Sequence, residues 1–162
     1  MKNFMGFTLV ELLITIGIMG ILTAAIIPSF DGFGKRQALT NASESLRSDI
    51  SSAQNKAVSG VAVLGAKVDW GLEFASSCDD AHSANSYNLG YFNSGGTFVS
   101  QSQRSVSSAI SIFCSSNNTR IRFERMSGKL IGAISEYTYL LENNSGDTKS
   151  LSIGLRGQVS IN

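Results

Sequence analysis

Hydrophobic positions along the chain fall into three regimes. From Phe7 to Phe30 almost every residue is apolar or small, and Glu11 is the one charge. From Lys35 to Val58 the apolar residues Leu39, Ala42, Leu46, Ile50, Ala53 and Ala57 recur at steps of three and four. Arg36, Glu44, Arg47, Asp49 and Lys56 fall largely on other faces, which is the pattern of an amphipathic helix. Ser59-Gly60 predicts its stop. Beyond Gly60 the repeat shortens to two. Val68, Trp70, Leu72 and Phe74 alternate with polar or small residues, as do Ile121 and Phe123, and both runs predict half-buried strands. Ser127-Gly128 is expected to turn the chain into a further strand, Lys129–Ile134. Tyr137–Leu141 and Leu151–Ile153 flank the turn-forming loop Asn143–Asp147, and Val159 and Ile161 close the chain. Residues 75–108 are polar and Gly-rich, with Tyr91-Phe92 and Thr97–Val99 as short exceptions, and read mostly as loops and small strands.

The first regime would reach about 36 Å as a helix, enough to cross a hydrocarbon core of about 30 Å. A continuous helix from Phe7 to Val58 would be about 78 Å long, far more than its own domain can cover. Its first half must therefore be buried by lipid or by other subunits. Pro28 removes a backbone hydrogen bond within the run, and Gly32 and Gly34 follow, so a kink or a segment able to unwind is expected there. The remaining strands predict an antiparallel sheet packed on the Leu39–Ala57 stripe, an α+β head.

Composition narrows the picture. The 162 residues carry 13 Lys and Arg against 12 Asp and Glu, so no global attraction to nucleic acid or to an acidic surface is expected. Lys2, the apolar stretch Leu12–Leu22 and Thr23-Ala24-Ala25 resemble an ordinary secretory signal, which would release a soluble protein beginning at Ile26. That reading leaves Glu11 without a reason. A charge inside a spanning helix costs roughly 2.5–3.5 kcal/mol and usually marks function. It also ignores the apolar pattern that continues past Ala25.

The stretch Gly6-Phe7-Thr8-Leu9-Val10-Glu11-Leu12 is similar to the processing motif of type IV prepilins and of their type II secretion relatives, the pseudopilins. A short basic leader, Gly before the cut, Phe after it, Glu at the fifth mature position and Pro28 at the twenty-second all match. The resemblance is strong over about the first 30 residues and one of architecture beyond them. It implies a pilin-like fold, and division into a leader (1–6), a transmembrane and filament-core helix (7–30), an amphipathic second half (31–58) and a β-rich head (61–162). It also implies cutting between Gly6 and Phe7 by a prepilin peptidase and methylation of the Phe7 amine. The subunit would wait in the inner-membrane lipid with its head in the periplasm. An assembly platform would then draw it into a filament of pilin or pseudopilin subunits, where Glu11 meets the Phe7 amine of a neighbour. An α-amino group with an unperturbed pKa near 7.7–8.0 is mostly cationic at neutral pH. An unpaired carboxylate in a desolvated core is costly, so Glu11 would act as a register pin more than as a source of net stability. Before assembly it would reach toward the headgroups. Size and strand richness favour a minor subunit with a two-sheet head.

The two cysteines, Cys78 and Cys114, lie in the head, in a compartment where disulfides persist. A structural bridge is expected, two buried thiols being the alternative. Asp79, Asp80 and His82 read as a solvated loop more than as a metal site, and the Asn143–Asp147 loop lacks the spacing of a calcium loop. No cofactor is expected. Arg120, Arg122, Arg125 and Lys129 form the one local basic cluster, and the three arginines with Arg156 are the candidate DNA contacts of an alternative in which the chain is a minor tip subunit that binds DNA or a surface. Their alternation with Glu124 is that of a solvated sheet face. No nucleophile elbow, phosphate loop or zinc motif is present, so the sequence offers no basis for an enzyme.

Overall fold

The computed structural model describes residues 7–74, 78–79, 81–115, 118–133 and 135–162, with the side chains of 25–31 excepted. The chain divides into two compact units, Met1–Gly34 and Lys35–Asn162. A single helix, α1 (Leu9–Val58), runs through both. It ends where the sequence predicts. Gly60, with φ of 60°, lets Val61 N–H reach the Lys56 carbonyl at 3.0 Å while Gly60 N–H reaches that of Ala57 at 3.0 Å. This pair of bonds is a Schellman cap.

Among the described residues ten strands follow: β1 (Ala62–Val63), β2 (Ala66–Lys67), β3 (Asp69–Phe74), β4 (Ser86–Phe92), β5 (Phe98–Ser105), β6 (Ile110–Cys114), β7 (Arg120–Phe123), β8 (Tyr137–Asn143), β9 (Thr148–Ile153) and β10 (Val159–Ile161). β1 and β2 make a small hairpin. The others form two four-stranded antiparallel sheets, β5-β4-β3-β7 (sheet I) and β10-β9-β8-β6 (sheet II). The two-sheet head is therefore present, with more strand between 75 and 108 than the sequence reading assigned. Lys129–Ile134, in contrast, is not a strand over its described residues: Leu130 makes only a lone bridge to Phe123. Gly128 and Gly132, at φ of 67° and 82°, bracket it in conformations a strand cannot use.

One core joins these elements. The predicted stripe supplies Leu39, Leu46, Ile50, Ala53 and Ala57, all buried, with Ala42 half-buried. Inward positions of both sheets complete it. Phe74 of sheet I stacks on Tyr139 of sheet II with ring centroids 4.9 Å apart, inside the range of favourable aromatic pairs. Gly71 and Gly90 face each other across β3 and β4. A Cβ on Gly71 would lie 1.9 Å from the Ile121 carbonyl oxygen and 2.9 Å from the Phe92 ring, so no side chain fits. The β4–β5 and β8–β9 turns share one device. Asn93 Oδ1 accepts from the N–H groups of Gly95 and Thr97, and Asn143 Oδ1 from those of Ser145 and Asp147, as asparagine does in such turns.

Candidate assembly surfaces

At the start of α1, Glu11 N–H donates to Thr8 Oγ1 at 3.3 Å, and Leu12 N–H to the Thr8 carbonyl at 3.2 Å. Thr8 is thus an N-cap with a glutamate three residues on, the capping-box spacing. The Glu11 carboxylate sits in the first turn, where the positive end of the helix favours an anion. Phe7 stands one turn away. Every large apolar side chain from Phe7 to Leu22 is at least half exposed. The hydroxyls of Thr15 and Thr23 are satisfied inside the helix, by the carbonyls of Leu12 (2.8 Å) and Met19 (2.7 Å), so burial of this surface would strand neither. An apolar surface of this extent marks contact with lipid or protein. Among the described residues no helix is long and apolar enough to cross a membrane. The described apolar side chains before position 25 cover only about 24 Å of helix. Gly6, and with it the predicted cut, lies outside the described residues. So does the side chain of Pro28, where the kink is expected; the backbone there belongs to α1.

Two arginines of the cluster are neutralised. Arg120 Nε lies 2.6 Å from Glu73, and Arg122 reaches Asp69 Oδ2 through Nη2 (2.6 Å) and Nε (3.0 Å). Both are cross-strand pairs on the outward face of β3 and β7. Arg122 also lies over the Phe92 ring at 5.0 Å. Asp69 Oδ1 accepts the backbone N–H of Arg125 at 3.0 Å, while Arg125 Nη1 donates to the Lys67 carbonyl at 2.9 Å. Arg156 sits in the β9–β10 turn, its carbonyl accepting from Gln54 Nε2 at 3.0 Å. Arg120 and Arg122, each matched by a carboxylate, make a poor footprint for a polyanion.

Cys78 and Cys114 are joined in a disulfide, with Cα atoms 5.4 Å apart. The bridge ties the segment after β3 to the last residue of β6, and so sheet I to sheet II. Asp79 carries the next loop. Its carboxylate accepts from the N–H groups of Ala81 (2.7 Å) and His82 (2.6 Å), and both its oxygens lie 3.0 Å from His82 Nδ1. The His82 ring, then those two N–H groups, hold its pKa below the ordinary value. Its lone pairs serve the loop. Asp80 lies outside the described residues, and among the described residues no group of three metal-ligating side chains occurs.

Three arrangements escape the sequence reading. Tyr87, buried on β4, donates to Asp49 of α1 at 2.8 Å, with Arg104 of β5 3.6 Å from the same carboxylate. Burial and then the neighbouring carboxylate push the phenol well above its ordinary pKa. Second, the β1–β2 hairpin turns through Leu64 and Gly65 at φ of 51° and 79°. Leu64 is fully exposed at its tip, over a groove of about 530 Å³ lined in part by Val63, Lys67, Tyr91 and Arg125. Two-residue turns of this kind favour Asn-Gly because both central residues need positive φ, so a leucine there is strained and solvated at once. Third, the outward face of sheet II carries Phe113, Leu140 and Glu142 around a hollow of about 350 Å³. A Leu-Gly step between short apolar runs, and the outward Leu140 in an otherwise alternating strand, are the sequence signals for the last two.

Residues 1–27 match the family described as the prokaryotic N-terminal methylation motif. The fold is similar to two crystal structures of the type IV minor pilin FimU from Pseudomonas aeruginosa. The first, in space group P21, has a TM-score of 0.61 and 19% identity, and the match covers 80% of this chain and 92% of that one. The second, in P65, has a TM-score of 0.58 and 18% identity, covering 76% and 92%. No curated protein matches the chain in sequence. The chain thus joins a prepilin-type N-terminal methylation motif to a head of pilin-type α+β fold.

Proposed function

We propose that this chain is a structural subunit of a type IV pilus or a type II secretion pseudopilus. A prepilin peptidase cuts it between Gly6 and Phe7, and the new Phe7 amine is methylated. The apolar half of α1 holds it in the inner membrane with the head in the periplasm until the assembly platform adds it to other subunits. One observation carries the reading: the methylation motif opens an exposed apolar helix whose amphipathic half is built into a pilin-type head. Polymerisation is driven by burial of that helix among its neighbours. Glu11, beside an N-cap and one turn from Phe7, sets register by pairing with a neighbour's Phe7 amine. The fold shared with FimU favours a minor subunit. Intact mass of the mature protein tests the first step. A start at methylated Phe7 supports the proposal, and a start at Ile26 makes the protein a secreted soluble domain. Glu11→Ala tests the second: membrane insertion should persist while recovery in sheared filaments falls. Unchanged recovery would remove the register role.

A further inference from the structure

Two surfaces, one on the β1–β2 hairpin and one on sheet II, have matching chemistry. The β1–β2 tip offers a fully exposed leucine, Leu64, flanked by two cations. Lys67 Nζ meets only Met126 Sδ, at 3.8 Å, and the Arg125 guanidinium only the Lys67 carbonyl. Neither side chain meets a carboxylate among the described residues. The outward face of sheet II offers the complement. Phe113 and Leu140 sit directly opposite each other on β6 and β8, and the carboxylate of Glu142, two residues along β8, has no hydrogen-bond or ion-pair partner among the described residues. One surface is an apolar projection with surplus positive charge. The other is an apolar hollow with an unmatched carboxylate.

We propose that the hairpin tip of one head seats on the outer face of sheet II of a second copy, with Leu64 over Phe113 and Leu140, and Lys67 and Arg125 facing Glu142. The idea rests on the filament-subunit reading, and it names the head surfaces by which such subunits touch. Because the two patches differ, the contact is heterologous. Each copy presents a free tip and a free hollow after joining, so the contact does not close a dimer. The leucine at a positive-φ position supports this. Asparagine would suit the turn better, so the isobutyl group is explained by what it touches and not by the fold.

The test uses full-length protein in its own membranes and filaments. Two differently tagged copies, one Leu64→Cys and one Leu140→Cys, should give mixed disulfide dimers under mild oxidation. The yield should exceed that of Leu64→Cys with Ser102→Cys by roughly tenfold, as expected of a specific contact over random encounter. In the otherwise native chain, Leu64→Asn should leave the melting midpoint unchanged or raised. It should lower dimer yield between Lys67→Cys and Glu142→Cys copies. Equal yields from both Leu64→Cys pairings, cross-linking of Leu64→Cys to a different protein, or a lowered midpoint on Leu64→Asn would each overturn the proposal. Recovery of the unmodified chain in sheared filaments is scored alongside. If it is recovered without the cross-link, this contact falls and the subunit reading stands. If the cross-link forms but the chain is absent from filaments, the reverse holds.

Discussion

Removing the disulfide by Cys78→Ala with Cys114→Ala should destabilise the head severely without altering its fold. The bridge spans 36 positions. In the chain-entropy treatment, closing such a loop lowers the freedom of the unfolded chain by about 3.8 kcal/mol at 25 °C. The closed segment contains β4, β5 and β6, so the unbridged chain must order half of sheet I before the two sheets can dock. At an unfolding entropy of about 2.1 cal/mol/K per residue, a unit the size of Lys35–Asn162 loses about 1 kcal/mol for every 4 °C. The melting midpoint should fall by about 14 °C. The assay is thermal and urea unfolding of the full-length protein in detergent, followed by the fluorescence of Trp70, which is buried in the core. The urea dependence should steepen as well, because the unbridged unfolded chain exposes more surface. A loss below about 1 kcal/mol would refute the reasoning. It would mean that the Ala84–Ile112 pairing beside the bridge already holds the two ends together in the unfolded ensemble.

Gly71→Ala should cost about 3 kcal/mol or more, since its methyl would force β3 away from β7; urea unfolding of membrane-extracted protein measures it, and a neutral result would show that the sheet gives way. Tyr87→Phe removes a bond to a carboxylate in a buried setting and should cost about 2 kcal/mol in the same assay. Asp79 has a folded pKa below its ordinary 3.8, so its contribution is complete above that pH and disappears as the pH falls through the folded value. Carbon NMR titration should place its midpoint below 3.8, and His82→Ala should move it back toward that value.

Much of the architecture is legible because its causes are local. The Leu39–Ala57 stripe needs only period, and the stop at Val58 needs only Ser59-Gly60. β3, β7, β8 and β9 alternate cleanly. Only the start of β5 is legible, for a physical reason: Phe98–Ser105 is an edge strand, mostly exposed on both faces, so little burial pattern is written into it. β4 is hidden by Gly90, a residue that normally argues against a strand and is here demanded by the close approach of β5. The Lys129–Ile134 expectation fails because Gly128, just before the segment, and Gly132, within it, both hold positive φ. Among the site residues, Phe7 and Glu11 are marked by motif, and the cysteine pair by count and compartment. The fates of Arg120 and Arg122 are not, since their partners Glu73 and Asp69 sit on a strand about 50 positions earlier and only register brings them together.

The second half of α1 is fastened to the head at several unlike points: Asp49 by the Tyr87 hydroxyl, Gln54 by the carbonyls of Gly128 and Arg156, and the Ala57 carbonyl by Met126 N–H. These anchors come from sheet I, from the loop after it and from the turn that ends sheet II. Traction along the helix is therefore divided between both sheets, and neither can be peeled away first. Slippage by a single residue would turn the helix by about 100° and break every fastening together, so under load this region should behave as a rigid rivet.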